Sequence, residues 1–203
     1  MILIVDDEAP IRDALAWLLK SRGHASRAFA GALEFREYLA SNTPELHEPG
    51  CIILDIRMPE VSGLELFDHV RATGLHEALP VIFLTGHGDV PLAVSSLKGG
   101  AFDFFEKPFN DNKLVDRVGE ALAVSAERLG STRNQVALAA RLASLSRRER
   151  EIMDLIVAGH YNKVIADRLN LAMRTVEVHR SRVFEKMGVK SAVELVSLLR
   201  DGR

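Results

Sequence analysis

Four short, nearly unbroken apolar runs punctuate the first half of the chain: ILIV (2–5), CIILDI (51–56), VIFLT (81–85) and FDFFE (102–106), with a weaker candidate in HASRAF (24–29). Strands this apolar belong in a parallel sheet covered on both faces. Between them lie helix-spaced segments. Ile11, Ala14, Leu15, Leu18 and Leu19 fall on one helix face, and Gly23 follows as a stop. Further helices are expected over 32–41, 63–73, 90–98 and from 111. This alternation over about 120 residues predicts an α/β domain, doubly wound around a five-stranded parallel sheet. In such a sheet, chemistry gathers just beyond the carboxyl ends of the strands.

That edge is where the ionisable residues fall. Asp6 and Asp7 end the first run, Asp55 lies near the end of the third strand, Thr85 ends the fourth, and Lys107 lies just past the fifth. Carboxylates brought together repel unless a cation joins them. Oxygen-only ligands suit Mg²⁺, which takes one or two carboxylates and keeps waters for a phosphate oxygen. A carboxylate beside such an ion is able to attack a phosphoryl group. Lys107 would then pair with an acid at rest and with a phosphoryl oxygen afterwards, and the Thr85 hydroxyl would donate to the same oxygen. Gly86 to Asp89 form a loop positioned to move with Thr85.

The rest of the chain differs in character. Residues 144–203 hold 12 Lys and Arg against 8 Asp and Glu, whereas residues 1–143 hold 14 against 20. An acidic front and a basic tail point to two domains with different partners. The tail shows helical segments near 146–158, 162–169, 173–187 and 191–199 and no strand run, with breaks at Gly159, near Asn170 and at Gly188. Ser146 is placed to cap the first of these, with Glu149 as its capping-box partner, and Asn162 to cap the second. Residues 121–143 form a helical linker. Val115, Val118, Leu122, Leu129, Val136 and Ala143 lie on a 3–4 spacing that also passes through Ser125, Thr132 and Ala139. The linker reads either as one sustained seam suited to pairing two chains or as two helices parted at Gly130-Ser131-Thr132. Cys51 is the one cysteine, which excludes an internal disulfide and a multi-cysteine zinc site. No apolar run approaches the ~20 residues of a membrane span, and no secretory signal is visible, so a soluble cytoplasmic protein with no membrane partner is expected.

The stretches ILIVDDE, IILDIRMPEVSGLEL, VIFLTGHGD and GAFDFFEKPF resemble the receiver domain of two-component response regulators over residues 1–120. The resemblance implies a CheY-like sheet in the order 2-1-3-4-5 with Asp55 as the phosphoacceptor. By the same resemblance Asp7, Asp55 and the backbone carbonyl of Arg57 ligate Mg²⁺, and Asp6 acts through a metal-bound water. Thr85 and Lys107 clasp the phosphoryl group, Phe104 is the switch aromatic where many members carry tyrosine, and the Lys107–Pro108 bond is cis. A sensor histidine kinase would be the phosphoryl donor.

The segment from LSRREREIM through NKVIADRLNL to TVEVHRSRVFEKMGV resembles the LuxR/NarL-type helix-turn-helix domain. This implies a recognition helix over 173–187, packed inward through Val176, Val183 and Met187, with His179 as a structural residue. Glu177, Val178 and Ser181 would face bases. Arg180, Arg182 and Lys186 would meet phosphates, with Arg174 and Thr175 on the same helix and Lys163 and Lys190 flanking it. Together the two resemblances suggest a regulator of the FixJ/NarL type, phosphorylated on Asp55 and then pairing as a homodimer on the two half-sites of a double-stranded operator. A phosphatase working through an aspartyl phosphate would want an acid two residues after Asp55, where this chain has Arg57. A metabolic enzyme is therefore not expected.

Overall fold

A computed structural model of the chain describes residues 1–41, 48–86 and 90–201. His87, Gly88 and Asp89, expected above to lie in a loop, fall outside the described residues. The strands are β1 (Ile2–Val5), β2 (Ser26–Phe29), β3 (Cys51–Asp55), β4 (Val81–Thr85) and β5 (Asp103–Glu106). They form one parallel sheet in the order β2-β1-β3-β4-β5. All residues of β1, β3 and β4 are buried, whereas β2 and β5, at the edges, are only partly so. That explains the weaker pattern of HASRAF: an edge strand has less apolar surface to hide.

Alternate residues of each central strand feed opposite faces, as the period of two requires. Leu3, Val5, Ile52, Leu54, Val81 and Phe83 meet Phe35 and Leu39 of α2 (Ala32–Ser41) and Leu66, Phe67 and Val70 of α3 (Gly63–Ala72). Ile2, Ile4, Ile53, Ile82 and Leu84 meet Leu15 and Leu19 of α1 (Ala9–Ser21) and Leu114 and Val118 of α6 (Asp111–Ala143). The doubly wound expectation is what is observed. A short α4 (Leu75–Ala78) was not foreseen, because four residues are too few to show a helical period. The remaining receiver helix is α5 (Val90–Lys98).

The linker resolves in favour of continuity. α6 runs without a break for 33 residues, through Gly130, Ser131 and Thr132. A helix-interior glycine costs only about 1 kcal/mol relative to alanine, which the flanking Ala- and Leu-rich turns absorb. Ser125, one of the polar seam positions, is fully buried. Its hydroxyl donates to the carbonyl of Ala78 (2.6 Å) and accepts from the N–H of Gly50 (3.0 Å), tying α6 to the segments that lead into β3 and β4.

The chain divides into two compact units, Met1–Leu129 and Gly130–Arg203. The second holds the end of α6 with α7 (Arg147–Val157), α8 (Asn162–Leu169), α9 (Met173–Met187) and α10 (Ala192–Asp201). Its core joins Ile152, Met153 and Ile156 to Ile165, Val176, Val183, Met187 and Leu195. The expected capping box at Ser146 and Glu149 is present. Asn162 is not the cap of α8. Tyr161 holds that position with no side-chain cap bond, and Asn162 is the first helical residue. Among the described residues no helix is long and apolar enough to cross a membrane.

Candidate phosphoacceptor pocket and candidate nucleic-acid interface

β1 and β3 are neighbours and parallel, so their carboxyl ends lie side by side. This is what brings Asp6 and Asp55 together. Both are buried, Asp6 fully and Asp55 at 5% exposure. Lys107 follows β5 directly, and its bond to Pro108 is cis. Its Nζ donates to Asp6 Oδ2 at 2.9 Å and to Asp55 Oδ1 at 2.6 Å. Glu8 stands farther off, at 3.7 Å, with a largely exposed side chain. Thr85 ends β4 fully buried, and its hydroxyl donates to the carbonyl of Gly86 at 3.2 Å. Phe104 is half-buried against the core on the α2–α3 face of the sheet.

Asp7 behaves differently from its neighbours. It is exposed, and among the described residues no three carboxylate, imidazole or thiol side chains are gathered as a metal-holding group. Of the three acids expected above, Asp6 and Asp55 are buried, and Asp7, next to Asp6 in the chain, is exposed. Arg12, which the sequence reading did not single out, closes the turn between β1 and α1. Its Nη1 donates to the backbone carbonyls of both Asp6 (2.7 Å) and Asp7 (2.8 Å). The available signal was an arginine one helical turn beyond the acidic run.

The electrostatics follow from burial. Desolvation pushes the Asp55 carboxyl above its ordinary value, against the hydrogen bond and charge of Lys107, and the nearby Asp6 adds to the rise. Burial works to lower the Lys107 pKa, but the bonds to Asp55 and Asp6 outweigh it and hold the ammonium above its ordinary range. The pocket therefore contains two close acids that one cation keeps compatible.

In the second unit, α8 and α9 are joined by a turn in which Asn170 takes φ 51°, a left-handed conformation that asparagine tolerates. Val176, Val183 and Met187 are buried on one side of α9. Arg174, Glu177, Val178, Ser181 and Arg182 are exposed on the other, Thr175 is half-buried, and Lys163 and Lys190 are exposed on flanking segments. Val178 is 46% exposed, an apolar tip turned to solvent. Arg180 lies nearer the packed side. It is half-buried, its Nη1 donates to Asn162 Oδ1 (3.2 Å), and its guanidinium sits 5.1 Å from the centre of the Phe184 ring. An open cleft of about 570 Å³ borders it, lined by Tyr161, Asn162, Lys163, Met173 and Glu177 among others.

Lys186, expected with the phosphate-facing cations, is exposed but also engaged within the fold. Its Nζ donates to Glu149 Oε2 at 2.6 Å and to the Ser144 carbonyl at 2.9 Å. Glu149 is buried, and its carboxylate also accepts from the Ser146 N–H at 2.8 Å. The Lys186 bond first, and then the Ser146 N–H, hold the Glu149 pKa down to about 2. A carboxyl depressed in the fold stabilises above its unfolded pKa and loses that contribution as pH falls through the folded one. The helical unit is thus expected to lose about 2–3 kcal/mol between pH 5 and pH 2. Glu149→Gln should flatten that loss. Amide exchange across α7 and α9 of the full chain measures it, and an equally steep acid dependence in the variant would remove Glu149 as its source.

Comparison with known proteins agrees with both units. Residues 2–119 match the family model described as the response regulator receiver domain. Residues 143–199 match that of the bacterial regulatory proteins of the luxR family. The chain is 52% identical over 195 residues to the C4-dicarboxylate transport transcriptional regulatory protein DctR of Rhodobacter capsulatus, covering 96% of each. It is 41% identical to the transcriptional regulatory protein FixJ of Bradyrhizobium diazoefficiens, covering 97% of this chain and 93% of that protein. Among solved structures, the response regulator StyR superposes with a TM-score of 0.87 at 36% identity, over 98% of this chain and 97% of that one. DctR and FixJ are transcriptional regulatory proteins, and StyR is a response regulator. A receiver sheet with a buried Asp–Lys–Asp pocket, followed by a helix-turn-helix unit of the luxR type, places this chain in the two-component response regulators of the FixJ/NarL family.

Proposed function

We propose that Asp55 is the phosphoacceptor and that its phosphorylation by a sensor histidine kinase governs DNA binding by the second unit. The observation that carries this reading is the single ammonium of Lys107 bonded to both buried carboxylates, Asp6 and Asp55. A buried acid held by one movable cation is a nucleophile whose counter-ion is already in reach of the incoming group. As a bond forms between an Asp55 oxygen and phosphorus, the phosphorus–nitrogen bond to the donor histidine breaks. Lys107 then turns from the Asp55 oxygen to a phosphoryl oxygen, and Thr85 exchanges the Gly86 carbonyl for another.

Receiver domains generally bind Mg²⁺ at this pocket, and the donors here fit it. Asp7, Asp55 and the Arg57 carbonyl would hold the ion directly and Asp6 through a water, and Asp6 and Asp55 already share one cation, Lys107. When bound, the ion would draw charge off the transferring oxygens. The product carries about −1.5 to −2 charge beside Thr85 and Lys107, enough to shift the segments that carry them, with Phe104 as the ring that follows.

In the second unit the exposed side of α9 would read DNA, with Glu177, Val178 and Ser181 towards bases and Arg174, Thr175, Arg180 and Arg182 towards phosphates. Lys163 and Lys190 assist from the flanks, and Lys186 would reach a phosphate only by giving up its bonds to Glu149 and the Ser144 carbonyl. Phosphorylation would pair two chains on two half-sites. Arg180→Ala is expected to weaken binding to all sequences alike and to lower the salt slope by about one, whereas Glu177→Ala should alter sequence preference. Binding isotherms against several operators at several salt concentrations check both, and a loss at Arg180 confined to one base would contradict its role.

Acetyl phosphate with Mg²⁺ tests the main reading. The wild type should gain one phosphoryl group and Asp55→Asn none, with a matching rise in DNA affinity only for the wild type. A wild type that takes no label overturns it.

A further inference from the structure

The turn between β1 and α1 has an unusual fastening. Asp6 spends one carboxylate oxygen, Oδ1, on the N–H of Glu8 at 2.8 Å and the other, Oδ2, on Lys107. That leaves the backbone carbonyls of Asp6 and Asp7 at the head of a turn rich in negative charge. The Asp6 carbonyl is partly removed from water and needs a donor, whereas that of Asp7 is exposed. Here one nitrogen meets both: Arg12 Nη1, at 2.7 Å from the Asp6 carbonyl and 2.8 Å from that of Asp7. Arg12 is half-buried on the first turns of α1, where its own N–H bonds to the Glu8 carbonyl at 3.1 Å. The helix thus grips the turn twice, once through the backbone and once through the side chain.

We propose that Arg12 is a positioning residue for phosphoryl transfer: by holding the Asp6 and Asp7 carbonyls it fixes the turn so that the two carboxylates stay presented to the Asp55 pocket. The inference rests on the reading of Asp55 as phosphoacceptor. It assigns Arg12 no contact with the phosphoryl group. Residues that orient metal-binding carboxylates from behind typically change affinity by about 10–100-fold when replaced.

The test uses the full chain and Mg²⁺ alone. Arg12→Met keeps a long apolar stem and removes the donors, and Arg12→Lys restores a cation with several N–H groups. Calorimetric titration should give Mg²⁺ binding about 10-fold weaker in the methionine variant and within about threefold of wild type in the lysine variant. Amide exchange at Glu8, measured without Mg²⁺, should rise about tenfold in Arg12→Met while Val70 in α3 is unchanged. Should Arg12→Met fail to fold, Arg12→Gln takes its place in both measurements. Unchanged affinity and unchanged Glu8 exchange in the variant overturn the proposal, as does a lysine variant no better than the methionine one. A wild type that binds no Mg²⁺ instead overturns the phosphoacceptor reading beneath it, while the Glu8 exchange still reports on the grip of Arg12.

Discussion

Replacing Lys107 by methionine is expected to cost the receiver unit about 2–3 kcal/mol at pH 7 and far less at pH 3. The ammonium lies between two buried carboxylates, Asp6 at 2.9 Å and Asp55 at 2.6 Å. Breaking a fully buried pair typically costs about 3–5 kcal/mol. Lys107 retains 18% side-chain exposure, so the lower figure applies. The pH dependence has a definite sign. With Lys107 present, burial already holds the Asp55 pKa above its ordinary value. Without it, the opposing influence disappears and that pKa rises further. A carboxyl whose folded pKa exceeds its unfolded one leaves stability intact below the unfolded value and lowers it as pH rises towards the folded value. The penalty therefore grows from about pH 4 upwards. In the wild type, the raised Lys107 pKa gives a contribution complete below its ordinary value and lost as pH rises through the folded one. Urea unfolding of both proteins at pH 3.5 and pH 7 checks this, and a difference that stays constant with pH would refute the paired-carboxylate account.

Gly63→Ala should be at least as damaging, by about 3 kcal/mol, and should also slow labelling of Asp55. Gly63 is buried at the first position of α3, and its N–H donates to the Ile56 carbonyl at 2.9 Å. A methyl group there would collide with the Asp55 carbonyl oxygen, and would lie 2.9 Å from the Asp55 carbonyl carbon and 3.1 Å from Ile56 Cα. These are backbone atoms and cannot rotate away. Either α3 lifts off the sheet or the end of β3 shifts, and the latter moves the phosphoacceptor itself. Gly130→Ala is the contrasting control. An added Cβ there meets nothing within 4 Å. It lies inside α6, so it should stabilise by about 0.5–1 kcal/mol. Thermal unfolding together with acetyl phosphate labelling separates the two, and a wild-type-like Gly63→Ala would show that α3 is not seated as described.

Much of the architecture was legible because local pattern and fold coincide. The central strands are apolar throughout because helices cover both faces, and the edge strand β2 was faint because much of it faces solvent. The Ser146–Glu149 capping box was legible because it is complete within four residues. Asn162 misled because a good capping residue one position late still resembles a cap. The linker stayed ambiguous because Gly130 lowers helix propensity without forbidding a helix.

The pocket was legible as a set of residue types at strand ends, and its wiring was not. That Asp6 and Asp55 share one ammonium while Asp7 stands outside depends on how side chains leave neighbouring strands. Lys186 illustrates the same limit. Its place on the helix matched a phosphate contact, but α7 puts Glu149 against it, 37 residues earlier in the chain. Arg12 is a third case, an ordinary helix arginine until the turn folds back over it.

Periodicity, turn residues and the order of motifs determine which elements form and which strand ends carry chemistry, since these depend on neighbours a few positions apart. Pairing among charges far apart in the chain was decided only by the tertiary structure. A cation chooses its partner by distance and by the water it must give up, and both are set once distant segments have packed.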